Sequence, residues 1–147
     1  MGQAMSRIGP LKLKVMLFCG DVTAMGPGKA DLLEAIEREG SISGGGRTLG
    51  MSYRRAWSLV DIMNRCWKEP LVKTSVGGGA RGGAQLTPFA RNLLRAYRDL
   101  EGQLMQSAAG AAFYEFESEL LASPRPHAPG GELDAVNETR RSPARGG

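Results

Sequence analysis

With 147 residues, the chain can form one domain with a hydrophobic core and a tail, and it is too short for a second full domain. Two cysteines without paired spacing and a single histidine, His127 near the end, exclude a disulfide framework and a zinc site, and the lack of an apolar run of about 18 residues excludes a transmembrane helix. No secretory signal opens the sequence, so we expect a cytoplasmic protein with reduced thiols, no cofactor and no membrane partner.

The positive charge is concentrated in the middle of the chain. The formal net charge is +4, but residues 47–98 hold ten Lys or Arg against two Asp or Glu, a net charge of +8. Residues 99–122 hold five acidic residues and no basic ones, a net charge of −5. A basic segment of this kind is typical of a surface that neutralises phosphates, although solvated surface charge is the ordinary explanation of any single arginine.

The first part of the chain is expected to contain a leader, a strand and a helix. Residues 1–10 are predicted to be a flexible leader. Residues 11–18 alternate apolar and charged side chains and then become apolar, which predicts a strand whose partner is either the wing defined below or another subunit. A loop over 20–28 follows, and the apolar spacing in 28–39 predicts an amphipathic helix.

Two short helices with a tight turn between them are predicted next. Ser41 precedes a helix that ends near Gly50, because glycine accepts the left-handed conformation that closes a helix. Ser52 can cap a second helix that runs to about Trp67. This pair indicates a helix-turn-helix, in which the second helix reads DNA.

A β-hairpin, here called the wing, and a long helix complete the predicted domain, residues 11–106. The wing consists of strands over 71–76 and 84–86 with a glycine-rich tip between them. Thr87 and Pro88 are typical of a helix start. The apolar residues that follow at spacings of four, three and four predict either a seam between paired helices or a face that packs on its own domain: Leu93, Tyr97, Leu100 and Leu104.

The end of the chain carries two further predicted segments. Residues 107–122 combine apolar positions with several glutamates and are predicted to form an acidic amphipathic helical extension. This extension either caps the domain or pairs with a second chain. In residues 123–147, Pro, Gly and charge dominate, so this segment is expected to be a disordered tail.

The candidate DNA-binding residues lie on the second helix of the motif, on the turn before it and on the wing. The first residues of a recognition helix face base edges, and an arginine there binds either guanine or a phosphate. Basic residues on a wing reach phosphates or the adjacent minor groove. The candidates are Arg47, Ser52, Tyr53, Arg54, Arg55, Ser58, Lys73 and Arg81. Arg47 and Tyr53 each keep a second interpretation, as a solvated charge and as a packed ring, and Trp57 is expected to pack in the core.

Residues 11–105 carry several short motifs in a fixed order. They are GSIS at 40–43, MSYRRAW at 51–57, Asn64, LV at 71–72, GGA at 82–84 and LT at 86–87. This combination resembles the N-terminal DNA-binding domain of the ModE family, which are molybdate-responsive transcriptional regulators with a LysR-like winged helix-turn-helix. The resemblance implies a homodimer that binds a palindromic operator near genes of molybdenum uptake or use.

Two features depart from the family pattern. Full-length members carry C-terminal Mop domains that bind molybdate, for which this chain has no room, so we expect no molybdate sensing by that route. Gly44, Gly45 and Gly46 stand where the family usually has helix-favouring residues such as alanine. Because each glycine costs up to about 1 kcal/mol relative to alanine inside a helix, we expect this helix to be frayed or to become ordered only on DNA.

The predicted fold class is mainly α with a small β component, a winged helix-turn-helix. The predicted function is that of a dimeric transcriptional regulator that binds double-stranded DNA, and no nucleophile, base and orienting group can be assembled for an enzyme. One alternative is a winged-helix interaction module that pairs with a full-length regulator without binding DNA. Another is an oxyanion sensor that holds molybdate at the helix start after Ser52 or Thr87.

Overall fold

The computed structural model describes residues 7–75 and 82–127. In these ranges the helices are α1 (Pro27–Glu39), α2 (Ile42–Thr48), α3 (Tyr53–Cys66), α4 (Pro88–Ala108) and α5 (Ala111–Glu119). The strands are β1 (Arg7–Ile8), β2 (Leu11–Lys12), β3 (Leu17–Cys19), β4 (Val22–Met25), β5 (Val72–Ser75) and β6 (Gly83–Leu86), and they pair antiparallel as β1–β2, β3–β4 and β5–β6. The predicted fold class, mainly α with a small β component and a winged helix-turn-helix, is confirmed.

The hydrophobic core lies between the first three helices, the wing strands β5–β6 and α4. Its buried side chains include Leu32 and Ile36 of α1, Met63 of α3 and Leu71 before the wing. The chain divides into two compact units, residues 1–114 and 115–147, and the core belongs to the first. Within the described ranges, none of the helices combines the length and the apolar character that a membrane span requires.

The N-terminal strands pair with their immediate neighbours. The single strand expected over 11–18 is replaced by two short ones, β2 and β3, and neither pairs with the wing. Strand β2 pairs with β1, and β3 pairs with β4, which lies inside the expected loop. Gly9 at φ 53° and Gly20 at φ 60° explain the difference, because Gly9 reverses the chain after β1 and Gly20 reverses it after β3. Strand β1 also lies inside the segment expected to be a loose leader.

Helix α2 is formed in full, which corrects the expectation that its glycines would fray it. Ser41 caps it, with its Oγ accepting a hydrogen bond of 2.9 Å from the Gly44 N–H. A Cβ atom on Gly45 would lie 2.9 Å from the Ile36 backbone nitrogen, and one on Gly46 would lie 2.7 Å from the Ala56 Cβ. The glycines therefore let α2 pack directly against α1 and α3, and this packing offsets their low helix propensity.

Ion pairs and one buried tyrosine fix α4 to the rest of its unit. The Arg98 guanidinium contacts Asp31 at 2.7 Å, Glu34 at 2.7 Å and Glu101 at 2.9 Å. The Tyr97 hydroxyl donates a 2.7 Å hydrogen bond to the Val15 carbonyl. The apolar face of α4 was expected either to pair with another helix or to pack on its own domain. It packs on its own domain at Tyr97, which is buried, and at Leu93, which contacts the core, whereas Leu104 is exposed.

We expect Gly45→Ala to lower the free energy of unfolding by about 1–3 kcal/mol, because the new methyl group overlaps the α1 backbone and forces α2 to shift. Gly102→Ala is the matched control, since Gly102 lies inside α4 with nothing within 4 Å of its would-be Cβ. That control is expected to gain up to about 1 kcal/mol from helix propensity alone. Urea unfolding measures both, and a stabilising Gly45→Ala would contradict the packing argument.

We expect Tyr97→Phe to cost about 1 kcal/mol at neutral pH, since the Val15 carbonyl loses its donor. Burial, and then the nearby Glu101 carboxylate, raises the pKa of Tyr97 to about 12. The folded state therefore holds this proton more tightly than the unfolded chain, whose tyrosine pKa is about 10. The stability that Tyr97 contributes is complete below about pH 10 and falls as the pH rises towards 12. Urea unfolding at pH 7 and pH 11 should show the difference between wild type and variant shrinking, and a constant difference would contradict this.

Candidate nucleic-acid interface

A glycine turn precedes α3, and a serine side chain caps its first turn. Gly50 adopts φ 71°, and the Met51 N–H donates to the Gly46 carbonyl at 2.9 Å, which closes the turn between α2 and α3. The Ser52 Oγ then accepts a hydrogen bond of 3.1 Å from the Arg55 N–H. This N-cap satisfies one of the free backbone N–H groups of the first turn. The side chains of that turn, at 53–55, are exposed to solvent.

The described candidate residues all lie at the surface. Those exposed are Arg47, Ser52, Tyr53, Arg54, Arg55, Ser58 and Lys73. Arg81 lies outside the described residues. The opposite side of α3 is buried in the core through Ala56, Val60 and Met63. The 3.6-residue period of the helix thus separates an anchoring face from a free face.

The described cations among the candidate residues are free of the ion pairs that engage Arg65, Arg91 and Arg98. Within residues 7–75 and 82–127, none of the ion pairs involves Arg47, Arg54, Arg55 or Lys73. Arg65, on the last turn of α3, is instead paired with Asp61 at 3.0 Å. Cations without a protein partner are the ones that can give their full set of donors to phosphates or guanine.

Trp57 corrects the expectation of a core residue. It is 39% exposed and stands edge-on to Tyr53, which is 63% exposed, with ring centroids 6.0 Å apart and an interplanar angle of 62°. The physical reason is helical spacing, because Trp57 follows Tyr53 by four residues and shares its outer side. The packed indole is Trp67, whose Nε1–H donates to the Ala24 carbonyl at 3.2 Å.

Asn64 connects α3 to the wing, and sequence reasoning did not assign it this role. Its Oδ1 accepts from the Leu71 N–H at 2.8 Å and the Val72 N–H at 3.1 Å, while its Nδ2 donates to the Val72 carbonyl at 3.2 Å. The sequence analysis identified Asn64 only as one of the residues that resemble the ModE family, without a structural role. The three bonds fix the base of the wing relative to α3.

Across the described ranges, no three His, Cys, Asp or Glu residues are grouped so that they could hold a metal ion. Burial raises the pKa of the Cys66 thiol, and the neighbouring Cys19 thiol raises it further. Cys66 therefore remains a protonated thiol at neutral pH.

No family model matches the chain, but individual proteins do. The molybdenum transport protein ModE of Azotobacter vinelandii is 46% identical over 79 residues, which are 54% of this chain and 29% of that protein. The DNA-binding transcriptional dual regulator ModE of Escherichia coli K12 is 38% identical over 98 residues, 67% of this chain and 35% of that protein. The molybdenum-pterin-binding protein MopA of Rhodobacter capsulatus is 35% identical over 98 residues, 67% of this chain and 37% of that protein. The chain spans about a third of the length of the curated relatives it matches.

We expect Asn64→Ala to lower the free energy of unfolding by about 1–3 kcal/mol, because it leaves backbone donors of two buried residues without a partner. Asn92→Ala is the control, since the side chain of the exposed Asn92 bonds only the Arg95 side chain among the described residues. Its effect should stay within about 0.5 kcal/mol. Urea unfolding compares the two, and equal effects would show that the Asn64 bonds do not hold the wing.

Proposed function

We propose that this chain, which is homologous over about two thirds of its length to ModE-family regulators, is a sequence-specific DNA-binding transcriptional regulator. The observation that carries the proposal is the capped, exposed first turn of α3, where Arg54 and Arg55 stand without ion-pair partners in the described part of the chain. Two relatives are named for molybdenum transport or molybdenum-pterin binding, and from these names we infer a link to molybdenum uptake or use.

The proposed mechanism is occupancy of an operator. The start of α3 enters the major groove, where Arg54 and Arg55 bind guanine edges or phosphates. Ser52 and Ser58 lie on the same exposed side and can bond to base edges or the backbone. Arg47 from the turn and Lys73 from the wing neutralise flanking phosphates, and by its sequence position Arg81 joins them.

The regulator is proposed to act as a homodimer on an inverted repeat. Two copies of one recognition helix related by a twofold axis require half-sites about 34 Å apart, which is one turn of DNA. Support comes from the family resemblance at 40–43, 51–57 and 82–87 and from the exposed Leu104 on α4.

A second candidate function is an interaction module that pairs with a full-length regulator. The acidic segment 99–122, with a net charge of −5, favours it because such a segment complements a basic surface on a partner. A frayed α2 would also favour the interaction module, but α2 is formed. Oxyanion sensing at Thr87 loses support as well, because that hydroxyl already accepts from the Ala90 N–H and donates to the Pro70 carbonyl.

We expect the intact chain to select an inverted-repeat sequence from random DNA and the variant Arg54→Ala/Arg55→Ala to lose that binding. Each base contact removed should cost roughly 5- to 150-fold in affinity, and each phosphate contact removed should reduce the salt slope by about 0.9. Fluorescence anisotropy over a salt series measures both quantities.

Arg95→Ala is the charge control, because it removes a cation from α4 that bonds only Asn92 among the described residues. It should leave the affinity and the salt slope almost unchanged. A loss of affinity as large as that of Arg54→Ala/Arg55→Ala would reduce the role of these two arginines to general charge. Failure of the intact chain to select any sequence would favour the interaction module.

A further inference from the structure

The free face of α3 carries an apolar patch among its cations. Tyr53 and Trp57 expose 63% and 39% of their surfaces and touch each other edge-to-face. Exposed aromatic rings are costly in water, so a cluster of two at the start of a candidate recognition helix indicates a contact surface. The arginines beside them account for hydrogen bonds to DNA, but they do not account for the rings.

The spacing of the two rings matches neighbouring bases. Positions 53 and 57 are one helical turn apart, and the ring centroids are separated by 6.0 Å. Successive bases on one strand are about 3.4 Å apart, so the pair can span two or three bases in the major groove. Their mutual edge-to-face packing restricts both side chains before binding, which lowers the entropy lost on contact.

We propose that Tyr53 and Trp57 select thymine by packing against its C5-methyl group. This inference rests on the proposed DNA-binding function and adds a base preference to it. The methyl group of thymine is the apolar feature of the major groove, whereas guanine, cytosine and adenine present donors and acceptors there. An aromatic edge gains by covering a methyl group and leaves polar base edges unsatisfied, so the same two rings favour thymine and disfavour cytosine at the positions they cover.

Replacement of thymine by deoxyuridine tests this contact, because uracil keeps every hydrogen-bonding group and lacks only the methyl. In the operator selected by the intact chain, each thymine is replaced singly and the affinity is measured by fluorescence anisotropy. We expect a loss of about fourfold at one or two neighbouring positions in each half-site, which corresponds to one buried methyl group.

The protein variants assign those positions to the rings. In Trp57→Ala, the deoxyuridine penalty should vanish at one position, and in Tyr53→Ala at a neighbouring one. The conservative variants Trp57→Phe and Tyr53→Phe should keep most of the penalty, since a ring remains and the tyrosine hydroxyl is not used. Phe18→Ala, which removes an exposed aromatic ring from β3, is the control and should keep all penalties. Thermal unfolding establishes that each variant is folded.

The possible failures of the two proposals are distinguishable. A chain that selects no DNA sequence overturns both. A chain that selects an operator without any deoxyuridine penalty, or whose penalties persist in Trp57→Ala and Tyr53→Ala, overturns the thymine contact and leaves the regulator function intact. A Trp57→Ala variant that keeps its DNA affinity but loses self-association in sedimentation would also overturn the proposal and assign the rings to a protein interface.

Discussion

Helix α2 lies against its neighbours at a distance that glycine permits and alanine does not. Gly45 faces the backbone of Ile36, and Gly46 faces the methyl group of Ala56. This close approach fixes α3 relative to α1, and therefore decides which side of α3 enters the core and which side faces solvent. The packing of α2 against α1 and α3 offsets the low helix propensity of the glycines. The free energy gained by this packing exceeds the cost of about 1 kcal/mol per glycine.

The wing and α4 depend on a second set of fixed contacts around the end of α3. Asn64 bonds the backbone at Leu71 and Val72, and Thr87 bonds the Pro70 carbonyl while capping α4. The Thr87 N–H also donates to the Leu71 carbonyl. The backbone over 70–72 thus receives bonds both from Asn64 of α3 and from Thr87, which caps α4. These bonds join α3, the base of the wing and α4 in one framework.

The arginines of the basic segment, residues 47–98, fall into two groups: those paired with carboxylates and those without such a partner in the described part of the chain. Arg65, Arg91 and Arg98 are engaged by carboxylates of α3, α1 and α4. Arg54 and Arg55, at the opposite end of α3 from Arg65, have no such partner in the described part of the chain. The net charge of +8 in residues 47–98 therefore overstates the positive charge that is free to bind phosphates. Two of the arginines without a carboxylate partner, Arg54 and Arg55, lie on the first turn of α3, where the proposed DNA contact is made.

The sequence by itself determined α1, α3 and α4, the wing between α3 and α4, and the caps at Ser52 and Thr87, because apolar spacing and capping act within one or two turns of the chain. Tertiary structure alone decided the rest. The outward position of Trp57 and the helix contact at Gly45 depend on which helix surfaces meet, and the packing of α1, α2 and α3 together sets that meeting. A glycine that weakens an isolated helix therefore stabilises this one, since its effect is decided by the neighbouring helix and not by its own propensity.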